Sequence, residues 1–222
     1  MSKKLIGALT IGQSPRPDIM CDIEPILSYK ADILEAGALD GLTDEQVKQL
    51  APVGEEEFLI TRFNGKTVKI AERHMFSKLQ QKIDELANRG VQAVLILCTG
   101  RFDSFQSTIP ILSPGSIISA VVPVCSRNSS IGVLVPEDGQ IDELRKAWER
   151  VVGKVKLISA SPYGSTEDIK KAAESLVAES IDLVVPDCMG YTQAIKDLVA
   201  ETSKKPVILP RTLAARIAAE IL

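Results

Sequence analysis

The chain predicts an α/β fold of two similar units with mainly parallel sheets facing a shared cleft, and three observations carry that expectation. The first is a pair of matching apolar runs. Val91-Gln92-Ala93-Val94-Leu95-Ile96-Leu97-Cys98-Thr99-Gly100 closes in a thiol, a hydroxyl and a glycine. Ile181-Asp182-Leu183-Val184-Val185-Pro186-Asp187-Cys188-Met189-Gly190 repeats that layout, with Cys188 in the place of Cys98 and Gly190 in that of Gly100. Runs of this kind read as parallel strands buried on both faces. The second observation is the alternation of strand-like and helix-like segments along the chain, which argues for parallel sheets covered by helices. The third is an internal echo, Ile6-Gly7-Ala8-Leu9 against Ile131-Gly132-Val133-Leu134. Gly7 precedes Cys98 by 91 positions and Gly132 precedes Cys188 by 56. The difference of 35 is about the length of Ala36 to Ile70, so the first unit carries an insertion there.

In order, Leu5–Ile11 reads as a buried strand and Gly12-Gln13-Ser14-Pro15-Arg16-Pro17-Asp18 as a loop. Asp18 is the expected N-cap of a helix running to about Tyr29, kinked or ended by Pro25. Ala36–Pro52 contains a second helix, with Thr43 and Gln46 spaced as a capping box. Asn64-Gly65 between two alternating runs predicts a β-hairpin near residues 57–71. A helix from about Glu72 to Asn88 ends at Gly90 and feeds the Cys98 strand. Arg101–Gly115 reads as a long loop or short helix, and Ile117–Cys125 as an apolar strand closed by Ser126-Arg127-Asn128-Ser129-Ser130. Strands at Ile131–Val135 and Val155–Ser159 follow, with helices near Gln140–Val151 and Thr166–Glu179. After the Cys188 strand come a helix near Tyr191–Thr202, a short strand Pro206–Leu209 and a closing helix Thr212–Leu222. The first unit is placed at residues 1–115, with the C-terminal helix 210–222 joining it, and the second at 116–209.

Composition excludes several classes. With 45% hydrophobic and 25% charged residues and a net charge of −3, the chain has no clustered basic face for nucleic acid. No run approaches the roughly 18 apolar residues of a membrane span. Met1-Ser2-Lys3-Lys4 leads straight into a strand without a cleavage pattern, so a cytoplasmic protein is expected. The first loop lacks phosphate-cradling glycine spacing. Cys21, Cys98, Cys125 and Cys188 show no C-x-x-C spacing, and with His74 the single histidine no metal site is expected. Four free thiols follow for a reducing compartment, with Cys21 and Cys125 read as structural.

Two thiols at strand tips permit one specific chemistry. A proton on carbon beside a carboxylate is removed by a desolvated thiolate, and a second thiol returns a proton to the opposite face. No cofactor is required. Such a site needs backbone N–H groups or helix N-termini near each sulfur and hydroxyls or cations for the carboxylate. The candidates are Cys98 and Cys188 as acid and base, with Ser14, Arg16, Thr99, Gly100, Asp187, Gly190, Tyr191, Thr192 and Arg211 around the substrate. A carboxylate beside a thiol raises its pKa, which argues against Cys188 as the standing base if Asp187 points inward.

The motifs Leu9-Thr10-Ile11-Gly12-Gln13-Ser14-Pro15-Arg16-Pro17-Asp18, Asp187-Cys188-Met189-Gly190-Tyr191 and Leu209-Pro210-Arg211-Thr212-Leu213-Ala214-Ala215-Arg216 resemble the AroM family over nearly the whole chain. That family in turn resembles the aspartate/glutamate/hydantoin racemase superfamily. The resemblance implies two Rossmann-like domains, each with one catalytic cysteine, and cofactor-independent racemase, isomerase or decarboxylase chemistry. By it, Cys98 and Cys188 fall on the two catalytic positions. Amino-acid racemases carry Cys-Asn-Thr and Gly-Cys-Thr-His where this chain has Cys98-Thr99-Gly100 and Asp187-Cys188-Met189-Gly190. These departures weaken the case for amino-acid racemisation, and the expected partner is a small carboxylate-bearing molecule acted on by an isomerase, racemase or decarboxylase. Two alternatives stay open: a binding or sensing protein that kept the cleft without catalysis, and a thiol-redox protein. A homodimer is expected from the apolar helix faces and the hairpin.

Overall fold

The computed structural model describes residues 3–102, 105–126 and 130–222. Its contacts divide the chain into a first unit of Met1–Pro114 with Ala214–Leu222 and a second of Gly115–Leu213. Among the described residues no helix is long and apolar enough to cross a membrane.

In the first unit, β1 (Lys4–Thr10) is flanked by β2 (Ala31–Gly37) and β5 (Val94–Ile96), and β6 (Ile111–Leu112) extends the sheet in the order β2-β1-β5-β6, all parallel. Helix α1 (Pro17–Leu27) starts with Pro17 at its first position, where the missing N–H has no partner to lose. Arg16, rather than the expected Asp18, is its N-cap, and the helix runs through Pro25 without ending. The short α2 (Asp44–Lys48) has the full capping box, Thr43 Oγ1 accepting from Gln46 N and Gln46 Oε1 accepting from Thr43 N. Strands β3 (Phe58–Phe63) and β4 (Lys66–Ala71) form the hairpin as a separate antiparallel pair. Asn64 and Gly65 both have positive φ, 46° and 72°, as its two-residue turn requires. One 3-10 turn then leads into α3 (Met75–Asn88), whose Leu79, Ile83 and Leu86 are buried in the unit's core.

In the second unit, β7 (Ser130–Val135) lies between β8 (Lys154–Ser159) and β9 (Leu183–Pro186), again parallel. Helices α5 (Ile141–Glu149) and α6 (Thr166–Glu174) connect them, and α7 (Gln193–Ser203) follows β9. Trp148, Ile118, Val133 and Val185 form one core and Leu134, Leu176, Tyr191 and Val199 another.

The structure corrects several sequence expectations. Ile117–Cys125 is not a strand but most of α4 (Pro114–Cys125), which lies almost wholly in the second unit. Ile118 and Val122 are fully buried while Val124 is 86% exposed, a helical rather than an alternating pattern. A short apolar run does not separate a buried helix from a buried strand by period alone. Strand β2 was not foreseen, because an edge strand containing Asp32 and Glu35 lacks an apolar run. Helix α6 ends at Glu174 rather than Glu179, and Pro206–Leu209 contributes a single bridge, Val184 to Val207. Residues 127–129 of the expected Ser126–Ser130 loop, residues 103–104 of Arg101–Gly115, and Met1-Ser2 lie outside the described residues. The last helix, α8 (Pro210–Ile221), belongs to the first unit from Ala214 onward. There Lys4 Nζ donates to Leu222 O and Lys30 Nζ to Ala219 O.

Candidate active site

The two sheets repeat one another residue by residue. Gly7 of β1 pairs with Val94 of β5, and Gly132 of β7 pairs with Val184 of β9. Leu97 N donates to Leu9 O at 2.7 Å, and Asp187 N to Leu134 O at 2.9 Å. In both units the neighbouring strand therefore brings its cysteine out four positions beyond the residue paired with the glycine. Side chains approach both glycines closely: a Cβ on Gly7 would stand 3.0 Å from Leu86 Cδ1, and one on Gly132 would stand 2.9 Å from Ile181 Cδ1 and 3.1 Å from Leu176 Cδ1. The correspondence continues past these strands, where Val94 N donates to Pro110 O just before β6 and Val184 N to Pro206 O just before the single bridge at Val207.

The sulfurs are treated alike. Cys98 Sγ accepts the N–H of Gly100 at 3.3 Å, and Cys188 Sγ accepts the N–H of Gly190 at 3.3 Å. An amide dipole aimed at sulfur favours the thiolate over the thiol. Both glycines also admit an aromatic ring. A Cβ on Gly100 would lie 2.9 Å from Cζ of Phe102, and one on Gly190 would lie 2.9 Å from Oη of Tyr163. All four cysteines are free, Cys98 buried and Cys188 partly so. Cys21 and Cys125, expected to be structural, are both exposed.

The other sequence candidates fall into distinct places. Ser14 is clipped to Asp40, its N–H donating to Oδ1 at 2.7 Å and its hydroxyl to Oδ2 at 2.6 Å. Arg16 is 3% exposed and forms a two-pronged pair with Asp18, at 2.9 and 2.8 Å. Its Nη1 also donates to the hydroxyls of Thr10 and Thr61, which fastens the first loop to the hairpin. Thr99 is buried beside Cys98. Asp187 is buried and accepts the indole N–H of Trp148 on Oδ2 at 2.8 Å. Thr192 is the N-cap of α7, accepting from Ile195 N at 3.2 Å. The fully buried Arg211 donates from Nε and Nη2 to Met189 O, holding the turn that follows Cys188.

Tyr191 is also fully buried, and its hydroxyl donates to Ala160 O at 2.6 Å. Burial foremost, then the nearness of Cys188, Asp187 and Tyr163, holds its phenol well above the ordinary tyrosine range. It remains a neutral donor. Helix α7 follows Cys188 closely, whereas among the described residues no helix follows Gly100 before Pro114, which is the loop alternative of the two readings for Arg101–Gly115.

Sequence reasoning missed Arg101, Phe102 and Tyr163. Arg101 and Phe102 line a cavity of about 590 Å³ with Glu57, Glu72, Arg73 and Phe76. The signal available in the sequence was the glycine two positions after each cysteine, since such a glycine marks where another group packs closely.

The α/β fold of two parallel-sheet units is shared with solved racemases and related enzymes. Solved structures similar over nearly the whole chain include an allantoin racemase from Klebsiella pneumoniae, with a TM-score of 0.69, 13% identity and coverage of 99% of this chain and 87% of that one. A maleate isomerase from Pseudomonas putida S16 gives 0.64 and 11%, covering 96% and 90%. A glutamate racemase from Bacillus anthracis gives 0.62 and 15%, covering 99% and 81%. The family described as AroM protein matches residues 6–222, and the chain belongs to it. No curated protein sequence matches it.

Proposed function

We propose that this AroM family protein is a cofactor-independent isomerase or racemase of a small carboxylate, with Cys98 and Cys188 as its acid/base pair. One thiolate takes the proton from the carbon beside the carboxylate. The opposing thiol gives its proton to the other face, and the two sulfurs exchange protonation states. The observation that carries this reading is the shared geometry of the cysteines: the same register, the same strand tip and the same N–H to sulfur contact at 3.3 Å. A lone core cysteine has no reason to be duplicated in this detail. Thr99, Gly100 and Gly190 border the substrate in this reading. Ser14, Arg16, Asp187, Tyr191, Thr192 and Arg211 fix the loops that present it, consistent with the bonds they make.

The test is solvent exchange. Incubation with a panel of small carboxylates in D2O will place deuterium on the carbon beside the carboxylate of one of them. Cys98→Ala and Cys188→Ala will each reduce that incorporation by at least about a hundredfold, the usual range for a proton-transferring group. Full incorporation in the double variant refutes the mechanism. A second reading, a binding protein without catalysis, is favoured by the burial of Cys98 in the first unit's core and by the engagement of Ser14 and Arg16 within the protein. Tight carboxylate binding without deuterium uptake would establish it.

A further inference from the structure

We propose that the Tyr163 phenol contacts substrate at the Cys188 half of the site, donating a hydrogen bond that selects a ligand with a carboxylate or carbonyl oxygen on that side. The inference rests on the reading of Cys98 and Cys188 as the acid/base pair and adds a specificity-determining residue to it. Tyr163 lies in the turn between β8 and α6. The turn is fixed at its base, where Ala160 N donates to Val135 O and Ala160 O accepts the buried Tyr191 hydroxyl. It is closed at its tip by Gly164 N donating to Ser161 O at 3.0 Å, and Tyr163 N donates to Ser161 Oγ at 3.3 Å. A turn tied at both ends holds its aromatic side chain in one place. That place is the glycine of the cysteine turn: a Cβ on Gly190 would stand 2.8 Å from Pro162 Cγ, 2.9 Å from Tyr163 Oη and 3.0 Å from Tyr163 Cζ. The phenol oxygen thus lies against the residue whose N–H meets Cys188 Sγ, and Tyr163 is only half-buried.

The first unit supplies the contrast. The ring that fills the corresponding space at Gly100 belongs to Phe102, which carries no hydroxyl. Two halves that agree in register and in sulfur contacts thus differ in the group beside the glycine, apolar at Cys98 and hydrogen-bonding at Cys188. A phenol donates to a carboxylate oxygen by a short charge-assisted bond, which a phenylalanine cannot make.

The experiment uses iodoacetate, a small carboxylate whose carbon forms a C–S bond with a thiolate as iodide leaves, against its neutral counterpart iodoacetamide. Rates are read separately for each cysteine by mass spectrometry on the full-length protein, with exposed Cys21 as the internal reference. The wild type is expected to favour iodoacetate at Cys188 relative to Cys21. Tyr163→Phe is expected to lower that preference about tenfold, the usual effect of one charge-assisted hydrogen bond. The preferences at Cys98 and Cys21 stay unchanged. Tyr163→Ala controls for the ring: a merely structural role would appear there and not in Tyr163→Phe. An unchanged preference at Cys188 in folded Tyr163→Phe overturns the proposal and leaves the two-thiol reading standing. If Cys188 in the wild type takes iodoacetate no better than Cys21 does, the carboxylate reading itself falls, and the role of Tyr163 falls with it.

Discussion

Tyr191→Phe isolates one hydrogen bond in the second unit. The phenylalanine keeps the ring among Leu134, Ile169 and Val199, so apolar burial hardly changes. What is lost is the donor to Ala160 O, a 2.6 Å bond between buried groups. The carbonyl left behind is cut off from water, and an unsatisfied buried acceptor costs about 1–3 kcal/mol. For a chain of this size that corresponds to a fall in Tm of roughly 2–12 °C. The same substitution removes a pH dependence. The folded-state pKa of Tyr191 is raised above its unfolded value of about 10. Its contribution is therefore fully present below about pH 10 and is lost as the pH rises toward the folded pKa, at about 1.4 kcal/mol per unit. Urea unfolding followed by the single tryptophan, Trp148, between neutral pH and pH 11 reads both effects. In the wild type one of the three tyrosines should ionise only as the protein unfolds, and in Tyr191→Phe that step should be absent. A variant within 0.5 kcal/mol of the wild type at neutral pH, with an unchanged alkaline slope, would refute the reasoning.

Two further substitutions test the scaffold around the proposed site. Trp148→Phe removes the indole donor from the buried Asp187 carboxylate and leaves a smaller ring in the core. A loss of about 2–3 kcal/mol is expected in urea unfolding followed by circular dichroism, and a loss below about 1 would mean that Asp187 is held mainly by its other contacts. Arg16→Met keeps the apolar stem but removes the bonds to Asp18, Thr10 and Thr61. Asp18 is 42% exposed, which discounts the ion pair, so the buried hydroxyl contacts dominate an expected loss of about 2 kcal/mol. Hydrogen exchange at Thr61 and Arg62 should quicken, because the hairpin is fastened to the first loop there; protected amides would locate the fastening elsewhere.

The elements legible in the sequence were those with a local cause. The Asn64-Gly65 hairpin, the Thr43/Gln46 capping box and the two cysteine strands follow from turn chemistry, capping and apolar runs. The elements that were not legible had a tertiary cause. Strand β2 holds its place by pairing with β1 on one side only, and its Glu35 accepts the Arg16 N–H at 2.6 Å, so polar residues survive within it. The β-branched run before Cys125 becomes helical because one face, Ile118 and Val122, is buried while Val124 meets solvent. Propensity gives way to burial in such runs.

The same division holds at the site. Residue order alone determined that two thiols end two matching strands, each followed by a glycine two positions on, because strand period and apolar content are local properties. Only the tertiary structure decided that the pairing register is shared, that Arg16, Tyr191 and Arg211 are buried in supporting bonds, and that Phe102 and Tyr163 occupy the space beside the glycines. Phe102 folds back within its own turn, whereas Arg16, Tyr163, Tyr191 and Arg211 reach Thr61, Gly190, Ala160 and Met189 from segments distant in sequence, and no spacing rule encodes where those segments meet.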